Sequence, residues 1–75
     1  MWQFEIKSIR EEIKQMPHFL TLKQVAEFLQ VDYWTVYRLV VVGEIDATKI
    51  AGVWRIPRSA ILEYLEKRHP FNWKD

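Results

Sequence analysis

The sequence predicts a mainly α-helical fold with a small β-hairpin, and three observations support this prediction. Apolar residues recur three and four positions apart in four segments, which is the spacing of one face of an α-helix. One segment instead has the pattern of two short strands around Ala51-Gly52. The chain has 75 residues, no cysteine and 49% hydrophobic residues, so one small domain must obtain its stability from apolar packing without disulfides.

The first predicted helix covers residues 2–15. Three isoleucines share one face of it, with charged residues between them: Ile6, Ile9 and Ile13. Pro17 disfavours helical backbone at the residue before it and should end this helix. We therefore expect an N-terminal amphipathic helix within residues 1–18, either packed on the domain or available for a dimer or partner.

The second and third predicted helices are short and closely joined. Thr21 and Gln24 have the spacing of a capping box, so the second helix should begin there and end near Leu29. Asp32 is a favourable N-cap for a third helix over residues 33–41, which a glycine then ends. The apolar residues expected to face the core are Leu22, Val25, Ala26, Leu29, Val36, Leu39 and Val40. Two such helices with about three residues between them have the geometry of a helix-turn-helix.

Residues 47–56 predict the β-hairpin, with glycine supplying the positive φ that its turn requires. The pattern of apolar residues predicts that one set points towards the helices: Ile50, Trp54 and Ile56. A second set should point outwards: Lys49, Val53 and Arg55. A last helix follows Pro57, capped by Ser59 or its neighbour, and its inward residues should be Ile61, Leu62 and Leu65. A hairpin directly after a helix-turn-helix is a wing, so we expect a winged helix-turn-helix domain over residues 19–68.

Residues 69–75 form a C-terminal tail without helical periodicity. We expect Phe71 and Trp73 to pack against the first helix, where Trp2 and Phe4 also need cover. A disordered end is the alternative.

The net charge of +1 conceals a local excess of positive charge. Residues 33–58 contain four cations and two anions, a balance of +2, and this segment is where a nucleic-acid partner would be sought. The absence of a secretion signal and of a long apolar run predicts a cytoplasmic protein without a membrane contact. His18 and His69 lack the spacing of a metal site, and no nucleophile set or phosphate-binding loop is present. We therefore expect no enzyme activity, cofactor, metal or small-molecule substrate.

Four stretches taken in order resemble the excisionase-type helix-turn-helix domain, a winged module related to the DNA-binding part of MerR-type regulators. They are LTLKQVAEFL, TVYRL followed by GEI, KIAGVWRI and RSAILEYL. The resemblance covers residues 19–68. It implies sequence-specific binding to double-stranded DNA, in excision by phages and mobile elements or in bacterial transcription regulation. An integrase or further copies of the protein on DNA are the implied partners.

The resemblance implies that helix 33–41 enters the major groove, while hairpin 47–56 lies on the backbone or in the minor groove. The DNA-contacting residues that it assigns are Tyr33, Trp34, Thr35, Tyr37, Arg38, Lys49, Arg55 and Arg58. For Thr35, support of the helix cap is the alternative role, and for Tyr37 the alternative is packing within the domain. The chain departs from the family pattern by Gln30 in place of glycine and by apolar residues at several usually polar, small or basic positions: Tyr33, Trp34, Val41, Val42 and Val53. These departures favour the alternative hypothesis, a protein-interaction module or dimerising adaptor that keeps the fold.

Overall fold

The computed structural model describes the backbone of residues 2–74 and the side chains of residues 8–68. The elements in chain order are α1 (Trp2–Lys14), β1 (Phe19–Leu20), α2 (Leu22–Leu29), α3 (Tyr33–Val41), β2 (Thr48–Ile50), β3 (Val53–Pro57) and α4 (Arg58–Lys74). The strands form one antiparallel sheet in the order β1-β3-β2. The predicted mainly helical fold with a small hairpin is confirmed, and it is compatible with a winged helix-turn-helix.

Helix α2 is closed at both ends by local hydrogen bonds. The backbone N–H of Gln24 donates to Thr21 Oγ1 at 3.0 Å, and the Thr21 N–H donates to Gln24 Oε1 at 2.9 Å, which confirms the predicted capping box. At the other end Gln30 takes a left-handed conformation with φ of 59°. The Val31 N–H then donates to the carbonyl of Ala26 at 3.0 Å, as in a Schellman motif. The chain reverses within the predicted three residues.

Helix α3 has the predicted bounds because both of its ends are also specified locally. The Thr35 N–H donates to Asp32 Oδ1 at 3.0 Å, so Asp32 is the N-cap. Gly43 has φ of 87°, and the next residue, Glu44, donates its N–H to the carbonyl of Leu39 at 2.8 Å. Helices α2 and α3 therefore form a helix-turn-helix whose geometry depends on short-range bonds.

Strand β1 was not predicted. It pairs with β3 through Phe19 opposite Pro57 and Leu20 opposite Ile56. The Arg58 N–H extends this pairing by donating to the carbonyl of His18 at 2.9 Å. Two residues have no detectable period, so sequence patterns could not reveal this strand. Its position ties the start of the helix-turn-helix to the hairpin.

The hairpin corrects the predicted orientation of its side chains. Its turn has two positive φ angles, 53° at Ala51 and 81° at Gly52, which is the requirement of a type I′ turn. Such a turn pairs Ile50 with Val53 and therefore Lys49 with Trp54. Paired residues lie on the same face of a sheet, so the prediction that Ile50 faces the helices with Trp54 is wrong, and so is the prediction that Lys49 lies on the outward face with Val53 and Arg55. Ile50 is 51% exposed at the tip.

The core is formed by apolar residues from helices, strands and one loop: Ile13, Leu20, Leu22, Val25, Ala26, Val36, Val40, Ile45, Ile56, Ala60 and Ile61. The predicted stripes of α2, α3 and α4 all contribute, with Leu29, Leu39, Leu62 and Leu65 partly buried around this cluster. Ile45 was not predicted to be buried, because it lies between α3 and β2 outside any periodic segment.

Helix α1 packs on α4, which is the first of the two alternatives predicted for it. Ile13 is 2% exposed. Arg10 donates from Nε at 3.1 Å and from Nη2 at 2.5 Å to Glu66 Oε2. Helix α4 continues to Lys74, beyond the predicted start of the tail. The predicted packing of Phe71 and Trp73 against Trp2 and Phe4 lies outside the described side chains.

Replacing Gln30 by glycine should stabilise the protein. A left-handed conformation costs a non-glycine residue about 1–2 kcal/mol, and glycine at position 30 would remove this cost. Glycine also raises the conformational entropy of the unfolded chain, which offsets part of the stabilisation. We expect a net increase of about 0.5–1 kcal/mol in the free energy of unfolding, measured by urea denaturation.

Glu27→Gly is the matched control, because Glu27 is exposed within α2. Glycine there should destabilise the protein by about 1 kcal/mol. A similar destabilisation by Gln30→Gly would contradict the strain inferred at the turn.

Candidate nucleic-acid interface

The outer face of α3 is aromatic over its first two turns. The rings of Tyr33 and Trp34 meet edge to face with centroids 5.4 Å apart, and those of Trp34 and Tyr37 do so at 5.5 Å. Trp34 is 64% exposed and Tyr33 is 45% exposed. Edge-to-face contacts are favourable, so the three rings form one aromatic cluster, in which Tyr37 is partly buried against the core while Tyr33 and Trp34 are exposed.

The first turn of α3 also holds a negative charge. Asp32 Oδ1 accepts hydrogen bonds from the Thr35 hydroxyl and from the Thr35 N–H. These two bonds, with a smaller contribution from the positive charge of Arg38, lower the pKa of the Asp32 carboxyl below its ordinary value. The hydroxyl of Thr35 is therefore committed to the cap, while Asp32 stays ionised at neutral pH.

The hairpin presents its two cations on opposite faces. Lys49 Nζ lies 5.2 Å from the ring centroid of Trp54, within the range of a cation–π interaction. Arg55 pairs with Thr48 across the sheet and lies on the other face. Trp54 is only half-buried, so it belongs to both the edge of the core and the surface of the hairpin.

A groove of about 260 Å³ separates the hairpin tip from the two helices. Lys23 in the first turn of α2 and Tyr33 at the start of α3 line one side. Gly52, Val53 and Trp54 line the other. Sequence reasoning missed Lys23, although its place in the first turn of the first helix of a helix-turn-helix was visible.

The cations of the two halves of the molecule differ in their partners. Within residues 8–68, cations of α1 and α4 pair with carboxylates: Arg10 with Glu66, Lys14 with Glu11 and Arg68 with Glu44. No carboxylate of that same range pairs with Lys23, Arg38, Lys49 or Arg55, which belong to α2, α3 and the hairpin. Lys67 on α4 likewise forms no salt bridge with a carboxylate of residues 8–68. Positive charge therefore remains available mainly around the helix-turn-helix and the hairpin.

Arg58 has a structural contact that sets it apart from the other predicted DNA-binding residues. Its Nη1 donates to the carbonyls of Lys14 at 2.9 Å and Met16 at 2.6 Å, at the end of α1. The guanidinium thus satisfies carbonyls that the end of a helix leaves without partners. Arg58 connects α1 to the start of α4, and its contact with DNA stays a prediction.

The described part of the chain has neither a membrane span nor a metal cluster. No helix there is long and apolar enough to cross a membrane. Among the same residues, no group of three or more His, Cys, Asp or Glu side chains is arranged to hold a metal ion.

The fold and this surface define a class of protein. Two short helices joined by three residues, followed by a hairpin and carrying cations that no carboxylate of residues 8–68 pairs with, are typical of helix-turn-helix DNA-binding modules. A family model described as a helix-turn-helix domain matches residues 19–69, and the chain belongs to this DNA-binding family. No curated protein and no solved structure matched the sequence.

The cap at Asp32 should make stability depend on pH. Because the folded-state pKa of Asp32 is lower than the unfolded one, its contribution is present at neutral pH. This contribution to stability should be lost as the pH falls from the unfolded-state pKa of about 4 through the lower folded-state pKa of Asp32. Urea denaturation of wild type and Asp32→Asn between pH 7 and pH 3 measures this effect.

Asparagine can cap a helix but cannot titrate. The contributions of the other carboxylates to the pH dependence of stability therefore cancel when the two proteins are compared. Wild type should be the more stable protein at neutral pH, and its advantage should shrink in acid. A difference that does not change with pH would contradict the assigned hydrogen bonds.

Proposed function

We propose that this protein binds double-stranded DNA sequence-specifically, in the manner of the excisionase-type, MerR-related domains that it resembles. Helix α3 enters the major groove, and the β2–β3 hairpin acts as a wing on the adjacent backbone or minor groove. The main support is a group of cations on α2, α3 and the hairpin that form no salt bridge with the carboxylates of residues 8–68: Lys23, Arg38, Lys49 and Arg55. Phosphates would supply negative charge to these side chains.

Each side chain of α3 that was predicted to contact DNA has a role in this proposal. Arg38 contacts a phosphate or the acceptor edge of a guanine. The hydroxyl of Tyr37 donates to a phosphate, while Tyr33 and Trp34 make apolar contacts with sugars and thymine methyl groups. The hydroxyl of Thr35 donates a hydrogen bond to Asp32, and the hydroxyl oxygen can still accept a hydrogen bond from the amino group of a base.

The wing contacts are assigned from the two faces of the hairpin. Lys49 and Arg55 lie on opposite faces and so meet different phosphates. Arg58 mainly orients α1 relative to the domain, and its proposed phosphate contact uses the part of the guanidinium not bonded to α1. Lys23 adds a phosphate contact at the start of α2, which was not predicted from the sequence.

The number of cations limits the affinity of one copy. About 3–5 phosphate contacts give a salt dependence well below that of a strongly basic repressor. Adjacent copies on DNA, or an integrase that binds beside the protein, would raise occupancy because linked contacts multiply. We therefore propose a role in excision by a phage or mobile element, or in bacterial transcription regulation, with homo-oligomers or an integrase as partners.

A protein-interaction module or dimerising adaptor is the second candidate function. It is favoured by Val41 and Val42 at the end of α3, which are 54% and 69% exposed, together with Trp34. Exposed apolar side chains that lie together often mark a protein interface.

Arg38→Ala and Arg55→Ala should each weaken DNA binding and lower its salt dependence. Each variant loses about one phosphate contact, so the slope of log K against log salt should become shallower by about 0.9. Fluorescence anisotropy of labelled duplex at several salt concentrations measures both quantities.

Lys67→Ala is the matched control, since Lys67 is an exposed, unpaired cation on α4 outside the proposed interface. It should leave the affinity and the slope unchanged. Absence of binding by the wild type at low salt, or unchanged binding by both arginine variants, would overturn the proposal. In that event, sedimentation would test the protein-interaction module. Self-association of the wild type that is lost in Val42→Asp would support it.

A further inference from the structure

The groove between the hairpin tip and the two helices has features that phosphate binding does not explain. Apart from Lys23 and Thr21, its lining is apolar or aromatic, with Tyr33 on one side and Val53 and Trp54 on the other. The ring of Tyr33 also makes an edge-to-face contact with Trp34. An aromatic ring beside apolar side chains is a surface on which another flat ring can stack.

The size of the groove restricts its occupant. Its volume of about 260 Å³ is below the range of roughly 300–1,000 Å³ that is typical of sites for drug-sized ligands. A single flat ring system fits these dimensions better than a peptide segment. The groove also opens between α3 and the hairpin, the two elements proposed to contact DNA, so a group from bound DNA can reach it.

The charges at the groove match a nucleotide. Lys23 lines the groove, and Lys49 lies over the ring of Trp54 on the same face of the hairpin as that ring. Neither ammonium group pairs with a carboxylate of residues 8–68. A nucleotide combines an apolar aromatic face with a phosphate, which is the combination that aromatic and cationic side chains bind in single-stranded DNA.

We propose that the groove binds an unpaired nucleobase of bound DNA, stacked on Tyr33, with the attached phosphate held by Lys23. A base inside an intact duplex cannot enter, because its two faces stack on neighbouring bases and its edge is paired. The protein therefore prefers DNA that contains an extrahelical base. This inference rests on the proposed DNA-binding function and adds a substrate class to it.

Three duplexes of one sequence test the proposal: fully paired, with a single-nucleotide bulge, and with an abasic residue in the same bulge. The two bulges are similarly flexible, so their comparison separates capture of a base from ease of bending. Wild type should bind the base-containing bulge about tenfold more tightly than the abasic one, the scale of one stacked base. Fluorescence anisotropy measures the three affinities.

Variants assign the preference to the groove. Tyr33→Ala should abolish the preference for the base over the abasic bulge, and Tyr33→Phe should retain it, because phenylalanine keeps the ring. Arg38→Ala is the control: it should weaken binding to all three duplexes and leave their ratio unchanged. Thermal unfolding monitored by circular dichroism checks that each variant is folded.

Equal affinity for the two bulges, or a preference unchanged by Tyr33→Ala, would overturn the inference while leaving the DNA-binding proposal intact. Failure to bind any duplex would instead refute the proposed function. Deoxynucleoside monophosphates at the same concentration as the bulged duplex should not displace it from the protein. If they do, the groove is a mononucleotide site and the proposal for DNA is wrong.

Discussion

Strand β3 is the element on which the rest of the structure depends. It hydrogen-bonds to β1 on one edge and to β2 on the other, and its Ile56 is fully buried. A hairpin of two short strands is marginally stable alone, so the pairing with β1 is needed to hold it in place. Because β1 lies just before α2 and β3 directly precedes α4, one strand fixes the hairpin, the helix-turn-helix and the last helix relative to each other.

The parts of the fold that were predicted from the sequence are those specified by neighbouring residues. Capping side chains at Thr21 and Asp32 and the glycine after α3 defined the helix-turn-helix, because each acts within about one turn of the chain. The parts that were missed depend on distant residues. Strand β1 exists only because β3 lies beside it, and Lys23 joins the interface only because the hairpin folds against α2. The predicted orientation of Ile50 was wrong because it assumed that side chains alternate between faces without interruption across the turn. The two-residue turn instead determines which residues pair, and it pairs Ile50 with Val53.

The distribution of charge shows how a nearly neutral chain can present a positive surface. Arg10, Lys14 and Arg68 are neutralised by carboxylates, and Arg58 is bonded to carbonyls of α1. The net charge gives these cations the same weight as the cations of α3 and the hairpin. Composition alone therefore understates the positive electrostatic potential around the helix-turn-helix. Predicting that surface required knowledge of contacts between α1 and α4, which are far apart in the sequence.

The two-residue turn has a consequence for the dimensions of the hairpin. With only three residues in β2 and a rise of about 3.3 Å per residue, the hairpin extends about 10 Å from its base. Its tip, Ala51-Gly52, is small and uncharged, and nothing lies within 4 Å of a Cβ built on Gly52. In the proposed DNA complex, such a tip would be slim enough for a groove roughly 6 Å wide but too short to follow the DNA beyond that groove. The hairpin would therefore keep the footprint of a single copy close to α3.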